Sequence, residues 1–141
     1  MREMKLVSYD ATWLDVFEDI KKDIKSIFHD FKIEFFNIGS TSIEGMLSKP
    51  IVDVLVVFDS ILDCDIHQVA MKLKGYILKG EHGIAGRRYF QKFSDDGINH
   101  SAHIHCFEKS HHAVMDHIII FGLETTRLSV DSLKDILVFV L

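Results

Sequence analysis

The chain has one proline, two cysteines and no apolar run approaching the length of a membrane span. Each scarcity excludes something. Cys64 and Cys106 are too few to staple a small secreted scaffold and show no metal-ligand spacing, so both are expected as structural thiols in a reducing compartment. A membrane helix needs about 18 consecutive apolar residues, so no membrane partner is expected. The opening Met1-Arg2-Glu3-Met4-Lys5 holds no apolar core of a secretory leader, and a cytoplasmic location follows as an expectation. Basic residues are outnumbered, 16 Lys and Arg against 21 Asp and Glu, for a formal charge of -5. A nucleic-acid coat needs clustered cations to neutralise phosphates, and this balance argues against that class. A local basic pocket for a small phosphorylated ligand stays open.

What is present suits one domain. The 141 residues are 48% apolar, enough for a real core. Residues 3–8 alternate weakly and read as a short strand. Asp10 or Thr12 is a candidate N-cap for a helix whose apolar positions are Trp13, Val16, Phe17, Ile20, Ile24, Ile27 and Phe28. A strand is expected over 32–38, then a turn at 39–42 and a short helical segment through Glu44 and Leu47. Residues 51–57 are apolar on both faces, as in a central strand. A helix is expected over 61–74, with Ile61, Leu62, Ile66, Val69, Ala70 and Leu73 facing inward. A strand starts at Gly75-Tyr76. Residues 86–93 and 98–107 read as a β pair turning at Asp95-Asp96-Gly97, and a helix follows over about 110–120. This order implies an α+β fold, a small mixed sheet with helices packed on it.

The turn Gly39-Ser40-Thr41-Ser42 carries the first chemical signal. Glycine admits close approach of a ligand, and successive N–H groups with three hydroxyls suit a phosphate, although the same residues can simply cap a helix. Asp53 is the second signal. A carboxylate inside an apolar strand must face a cleft, a metal or a cation, because burying it unpaired is costly. Lys49 or an arginine is its structural alternative partner. A paired-metal strand site wants carboxylates at i and i+2, and here the second position is Leu55, so this strand brings a single carboxylate to any metal. His103 and His105 share one face of the 98–107 strand and could bind metal, hold phosphate or exchange protons, or form only a solvated face. His100 precedes them by three residues. Of Arg87 and Arg88, suited to phosphate by their planar forks, alternation lets only one point into a cleft. His111 and His112 read as surface residues.

Four stretches together resemble the GrpB family of nucleotidyltransferase-like proteins. They are Tyr9-Asp10-Ala11-Thr12-Trp13; the run from Ile38 through Gly39-Ser40-Thr41-Ser42 and Lys49-Pro50 to Asp53-Val54; the run from Gly80 through Arg87-Arg88 to Phe90; and His103-Ile104-His105. They cover roughly residues 5–120 in the family's order. The resemblance implies the nucleotidyltransferase fold, with Gly39, Ser40, Thr41 and Ser42 cradling phosphate and Asp53 binding Mg²⁺ (or Mn²⁺). Lys49, Arg87, Arg88, His103 and His105 fall in or beside family motifs, as substrate-binding, acid–base or, for His105, metal-ligating candidates. Similar domains fused to dephospho-coenzyme A kinase hint at nucleotide or coenzyme metabolism. Two departures stand out. Leu55 replaces the second acid of active nucleotidyltransferases. Phe121-Gly122-Leu123-Glu124-Thr125-Thr126 replaces the family's usual helix start, and the chain stops on Leu137-Val138-Phe139-Val140-Leu141. The last stretch reads as rewritten by a frameshift or truncation, leaving an apolar tail that must pack or form a homodimer.

Three functions compete on this reading. The first is metal-dependent transfer of a nucleotidyl or phosphoryl group involving a small phosphorylated ligand such as a nucleotide. The second is a non-catalytic module binding a nucleotide or coenzyme. The third is a metal or acid–base site built on His103, His105 and His100.

Overall fold

The run Val52-Asp53-Val54-Leu55-Val56-Val57-Phe58 is rich in β-branched residues, and with Asp53 as its one charged member it can be buried on both faces. In the computed structural model it is an interior strand. The structure describes residues 6–8, 10–38, 50–94, 97 and 100–116. Along the chain these form α1 (Thr12–Ile27), β1 (Ile33–Ile38), β2 (Val52–Phe58), α2 (Ile61–Ile66), α3 (Gln68–Leu73), β3 (Tyr76–Leu78), β4 (Arg88–Phe93) and β5 (His100–Glu108). Residues 112–116 are also helical. The strands make one sheet in the order β1-β2-β5-β4-β3. The pair β2–β5 is parallel, and the other neighbours are antiparallel. The mixed α+β sheet expected from the sequence is therefore present.

Helix α1 begins where Asp10 can serve it. The Asp10 carboxylate accepts from the Thr12 backbone N–H at 2.9 Å and from the Thr12 hydroxyl at 2.7 Å. These bonds satisfy an N–H that the first helical turn leaves without a partner, and hold the Asp10 carboxyl below the usual aspartate range. Trp13, Phe17, Ile20 and Ile24 then bury one stripe of the helix. That stripe shares one core with Val52, Val54, Val56 and Phe58 of β2, Ala102, Ile104 and Cys106 of β5, Phe90, Tyr76, and Cys64 and Met71 of α2 and α3. This is the larger core. A smaller cluster lies on the opposite face, where Ile38, Leu55, Val57 and Phe107 pack with Ala113 and Val114.

The expected 61–74 helix is divided at His67, and of its expected inner residues Ile61 packs against the larger core while most of the others do not. Cys64 and Met71 are buried, while Leu62, Ile66, Val69 and Leu73 are exposed, Leu73 to 83%. The reason lies in three anchors. The Arg88 guanidinium forks onto Asp65, Nε to Oδ1 at 2.7 Å and Nη2 to Oδ2 at 3.0 Å. His67 bonds Asp30 at 3.2 Å and meets the rings of Phe28 and Phe31. Cys64 and Met71 are thereby turned into the larger core, and His67 between them faces the end of α1. The more populated apolar stripe is left outside. Cys64 and Cys106 are free and buried, and burial pushes the Cys106 thiol well above the usual thiol range, as structural thiols require.

Other expectations fall partly beyond these residues. Val7 makes an isolated bridge, while residues 1–5 lie outside the description. The turn before β5 is anchored by the Gly97 N–H donating to the Ser94 carbonyl at 2.9 Å, with Asp95 and Asp96 outside the described residues. The turn Gly39-Ser40-Thr41-Ser42, Lys49, the later part of the 110–120 helix and the apolar tail also lie outside them. No described helix is long and apolar enough to cross a membrane.

Two stability predictions follow from this packing. Ile104→Ala should lower unfolding free energy by about 2–5 kcal/mol in urea, because a buried side chain is replaced by a cavity. Leu73→Ala on the outer face should change it by no more than about 0.5 kcal/mol. Asp65 supplies a pH signature. Arg88's hydrogen bond lowers its carboxyl below the usual range. A depressed folded-state value gives stability that is complete above the unfolded value near pH 4 and lost as pH falls through the folded one. The urea midpoint of Asp65→Asn should therefore fall less steeply than wild type between about pH 5 and pH 2.

Candidate functional site

Alternation along β2 turns Asp53, Leu55 and Val57 away from α1, α2 and α3. The same rule on β5 turns His103, His105 and Phe107 to that face. Parallel pairing aligns Asp53 with His103 and Leu55 with His105. Antiparallel pairing adds Tyr89 beside His105 and Gln91 beside His103. One carboxylate and two imidazoles thus meet at the end of the sheet where β2 and β5 begin.

The side chains form a chain of contacts. His105 Nε2 lies 3.1 Å from Asp53 Oδ1, and His103 Nδ1 lies 3.7 Å from the same oxygen. His103 Nε2 is 2.8 Å from His100 Nδ1. His105 Nδ1 is 3.3 Å from Arg87 Nη1. A line of polar groups therefore runs His100, His103, Asp53, His105, Arg87. Asp53 is its more open member, with 32% of the side chain exposed against 20% for His103 and 14% for His105.

Arg87 is buried, and its guanidinium organises the loop before β4. Nε donates to the Glu81 carbonyl at 3.1 Å, and Nη2 donates to the His82 carbonyl at 2.7 Å. Its carbon lies 4.7 Å from the centre of the Tyr89 ring, and burial pulls the guanidinium below arginine's ordinary value. The His82 ring also stacks on Tyr89, and Tyr89 contacts the rings of His103 and His105. The loop closes at Gly86, whose φ is +85°. Its N–H donates to Glu81 Oε2 at 2.6 Å, and a Cβ there would sit 3.1 Å from His111. Glycine meets both demands. His111 is more than a surface residue, because its Nε2–H donates to the Ala85 carbonyl at 2.7 Å.

The structure thus gathers Asp53, His103, His105 and Arg87. It does not gather Arg88, which lies on the helix-covered face and is bound to Asp65. Alternation explains the split, since neighbouring strand residues point to opposite faces. Gly39, Ser40, Thr41, Ser42 and Lys49 are outside the described residues; Ile38, the last described residue before them, pairs with Asp53. Tyr89, His82 and Glu81 carry no signal of their own in the sequence: the β4–β5 register sets Tyr89 opposite His105, and contacts with Arg87, Gly86 and Tyr89 bring in Glu81 and His82.

The donor set bears on any metal. Leu55 is fully buried in the smaller apolar cluster, so the position for a second carboxylate is part of the core. Among the described residues no group of three or more His, Cys, Asp or Glu could hold a metal ion. A closed protein cage of the zinc kind is thus not built from them. A single open carboxylate such as Asp53 is the type of oxygen ligand that Mg²⁺ or Mn²⁺ takes from a protein.

Comparison with known proteins agrees with this architecture. The chain is 38% identical over 118 residues to the UPF0157 protein YqkA of Bacillus subtilis, a match covering 84% of this chain and 34% of that protein. It is 31% identical over 94 residues to the glutamate-rich protein GrpB of Alkalihalophilus pseudofirmus, covering 66% and 54%. The matched part is about a third to a half of these curated relatives' length. Among solved structures, GrpB from Enterococcus faecalis superposes with a TM-score of 0.68 at 24% identity, over 96% of this chain and 94% of that one. A cytoplasmic RNA terminal U-transferase gives 0.55 at 16% identity, over 84% and 37%. At such identities the likeness establishes a nucleotidyltransferase-type fold and no more. The family model described as GrpB protein matches residues 3–122, and the chain belongs to that family.

Proposed function

We propose that the chain is a metal-dependent nucleotidyl- or phosphoryl-transferase acting on a small nucleotide or coenzyme-type substrate. The observation that carries this reading is the setting of Asp53. It is the one charged residue of β2, it is open on the face away from the three helices, and imidazoles of β5 flank it. A carboxylate so held is suited to Mg²⁺ or Mn²⁺, which when bound would neutralise phosphate charge. The turn Gly39-Ser40-Thr41-Ser42, with Lys49, is the proposed phosphate cradle. It follows a strand whose last residue pairs with Asp53. His103 contacts both His100 and Asp53, and is the proposed acid–base group. Positioning and electrostatics would supply most of the rate, as is usual in phosphoryl chemistry. The same reading places the protein in the cytoplasm, which the two free buried thiols support.

A second reading has its own observation. Leu55 is buried where active relatives of this fold would carry a second acid. That favours a module that binds a nucleotide or coenzyme without turning it over.

A thermal-shift panel separates the two. Nucleoside triphosphates, coenzyme A precursors and phosphosugars would be tested with and without Mg²⁺ or Mn²⁺, on wild type and Asp53→Asn. A ligand at a hundred times its dissociation constant stabilises the native state by about 2.7 kcal/mol. The transferase reading expects a metal-dependent rise in Tm that Asp53→Asn abolishes. A rise that persists in Asp53→Asn supports the binding module, and no rise with any ligand contradicts both.

A further inference from the structure

We infer that His105 is a positioning residue and not a metal ligand. Arg87 fixes the tautomer of its ring, and Asp53 is thereby left to work through Oδ2. The inference rests on the functional reading above for its purpose, but its geometry stands on separate contacts. A guanidinium carries donors and no acceptor. At 3.3 Å from Arg87 Nη1, His105 Nδ1 therefore accepts, and in the neutral ring the proton sits on Nε2. That Nε2–H points at Asp53 Oδ1, 3.1 Å away, and donates to it. A ring nitrogen carrying its proton has no lone pair to offer a metal ion. Moving the proton to Nδ1 would turn an N–H against the Arg87 N–H groups.

Arg87 is well placed for this task because it is itself immobilised. Its Nε and Nη2 are bound to the carbonyls of Glu81 and His82, and its central carbon lies over the Tyr89 ring. The Nη1 donor therefore reaches His105 from a fixed position. Both imidazoles address the same carboxylate oxygen, since His103 Nδ1 lies 3.7 Å from Asp53 Oδ1. The close contacts of both rings are to Oδ1, and Oδ2 is the oxygen assigned to a metal ion or substrate. This division resembles the outer-shell arrangement in which a neighbouring hydrogen bond orients a ligating group. On this inference His105 does not take the metal-ligating role that the resemblance implies for it.

Nitrogen NMR of histidine side chains in the wild-type protein tests the assignment directly. At about pH 8, where a free imidazole is neutral, His105 should show a protonated Nε2 and an unprotonated Nδ1. A His105 ring protonated at Nδ1 and bare at Nε2 overturns the inference. Mn²⁺ titration followed by water-proton relaxation gives a second test. His105→Gln keeps an N–H able to face Asp53 and should bind Mn²⁺ within about threefold of wild type, whereas His105→Ala should lose about tenfold. Equal loss in the two variants overturns the positioning role. Failure of wild type to bind Mn²⁺ would count against the transferase reading, while the tautomer is decided by NMR alone.

Discussion

Everything at the site depends on how β5 lies against β2. The two strands run parallel from Val52 beside Ala102 to Phe58 beside Glu108. That pairing puts Val54, Val56, Ile104 and Cys106 on the face covered by the helices and sends Asp53, His103 and His105 to the other face. A slip of one residue would exchange the faces of β5. Ile104 and Cys106 would then stand beside Asp53, and the imidazoles would be driven into the larger core without partners. Apolar burial on one face thus enforces the polar arrangement on the other. The fold holds the site through the cost of any alternative register.

Arg87 is the second constraint. Burying a cation is costly unless its donors are used. Here backbone carbonyls of the loop before β4 take two of them, and an imidazole of β5 takes another. The loop is shaped around the guanidinium, and the positive φ at Gly86 lets the chain turn back against His111. The same side chain that organises the loop therefore also reaches the residue beside the candidate carboxylate. One group thus ties the loop to the candidate site, so a change there would disturb both.

Much of the fold was legible because its signals are repeated along the chain. The α1 stripe from Trp13 to Ile24 recurs at helical spacing, and β2 is apolar over its length apart from Asp53. The facing of α2 and α3 was not legible. Their richer apolar stripe, Leu62, Ile66, Val69 and Leu73, faces out because distant partners decide otherwise: Asp65 is taken by Arg88, and His67 by Asp30, Phe28 and Phe31. No local pattern carries that information. At the site, the i, i+2 spacing marked His103 and His105 as sharing a face, and Asp53 stood out by its charge. Which of Arg87 and Arg88 joins them, and that Tyr89 forms part of the wall, required the β4–β5 register.

Membership in the GrpB family and a nucleotidyltransferase-type fold frame the account, and the carboxylate flanked by imidazoles gives it a chemical centre. Leu55 separates this chain from a site with two strand carboxylates, and the histidines beside Asp53 give it a different polar surround. The central claim is that ligand binds at the end of the sheet where β2 and β5 begin. An amide NMR titration of the isotope-labelled chain with a nucleoside triphosphate and Mg²⁺ tests it most directly. The account predicts the largest perturbations at Asp53, His103 and His105 and in the segment that follows Ile38. Perturbations confined to the outer face of α2 and α3, or none at saturating ligand, would contradict it.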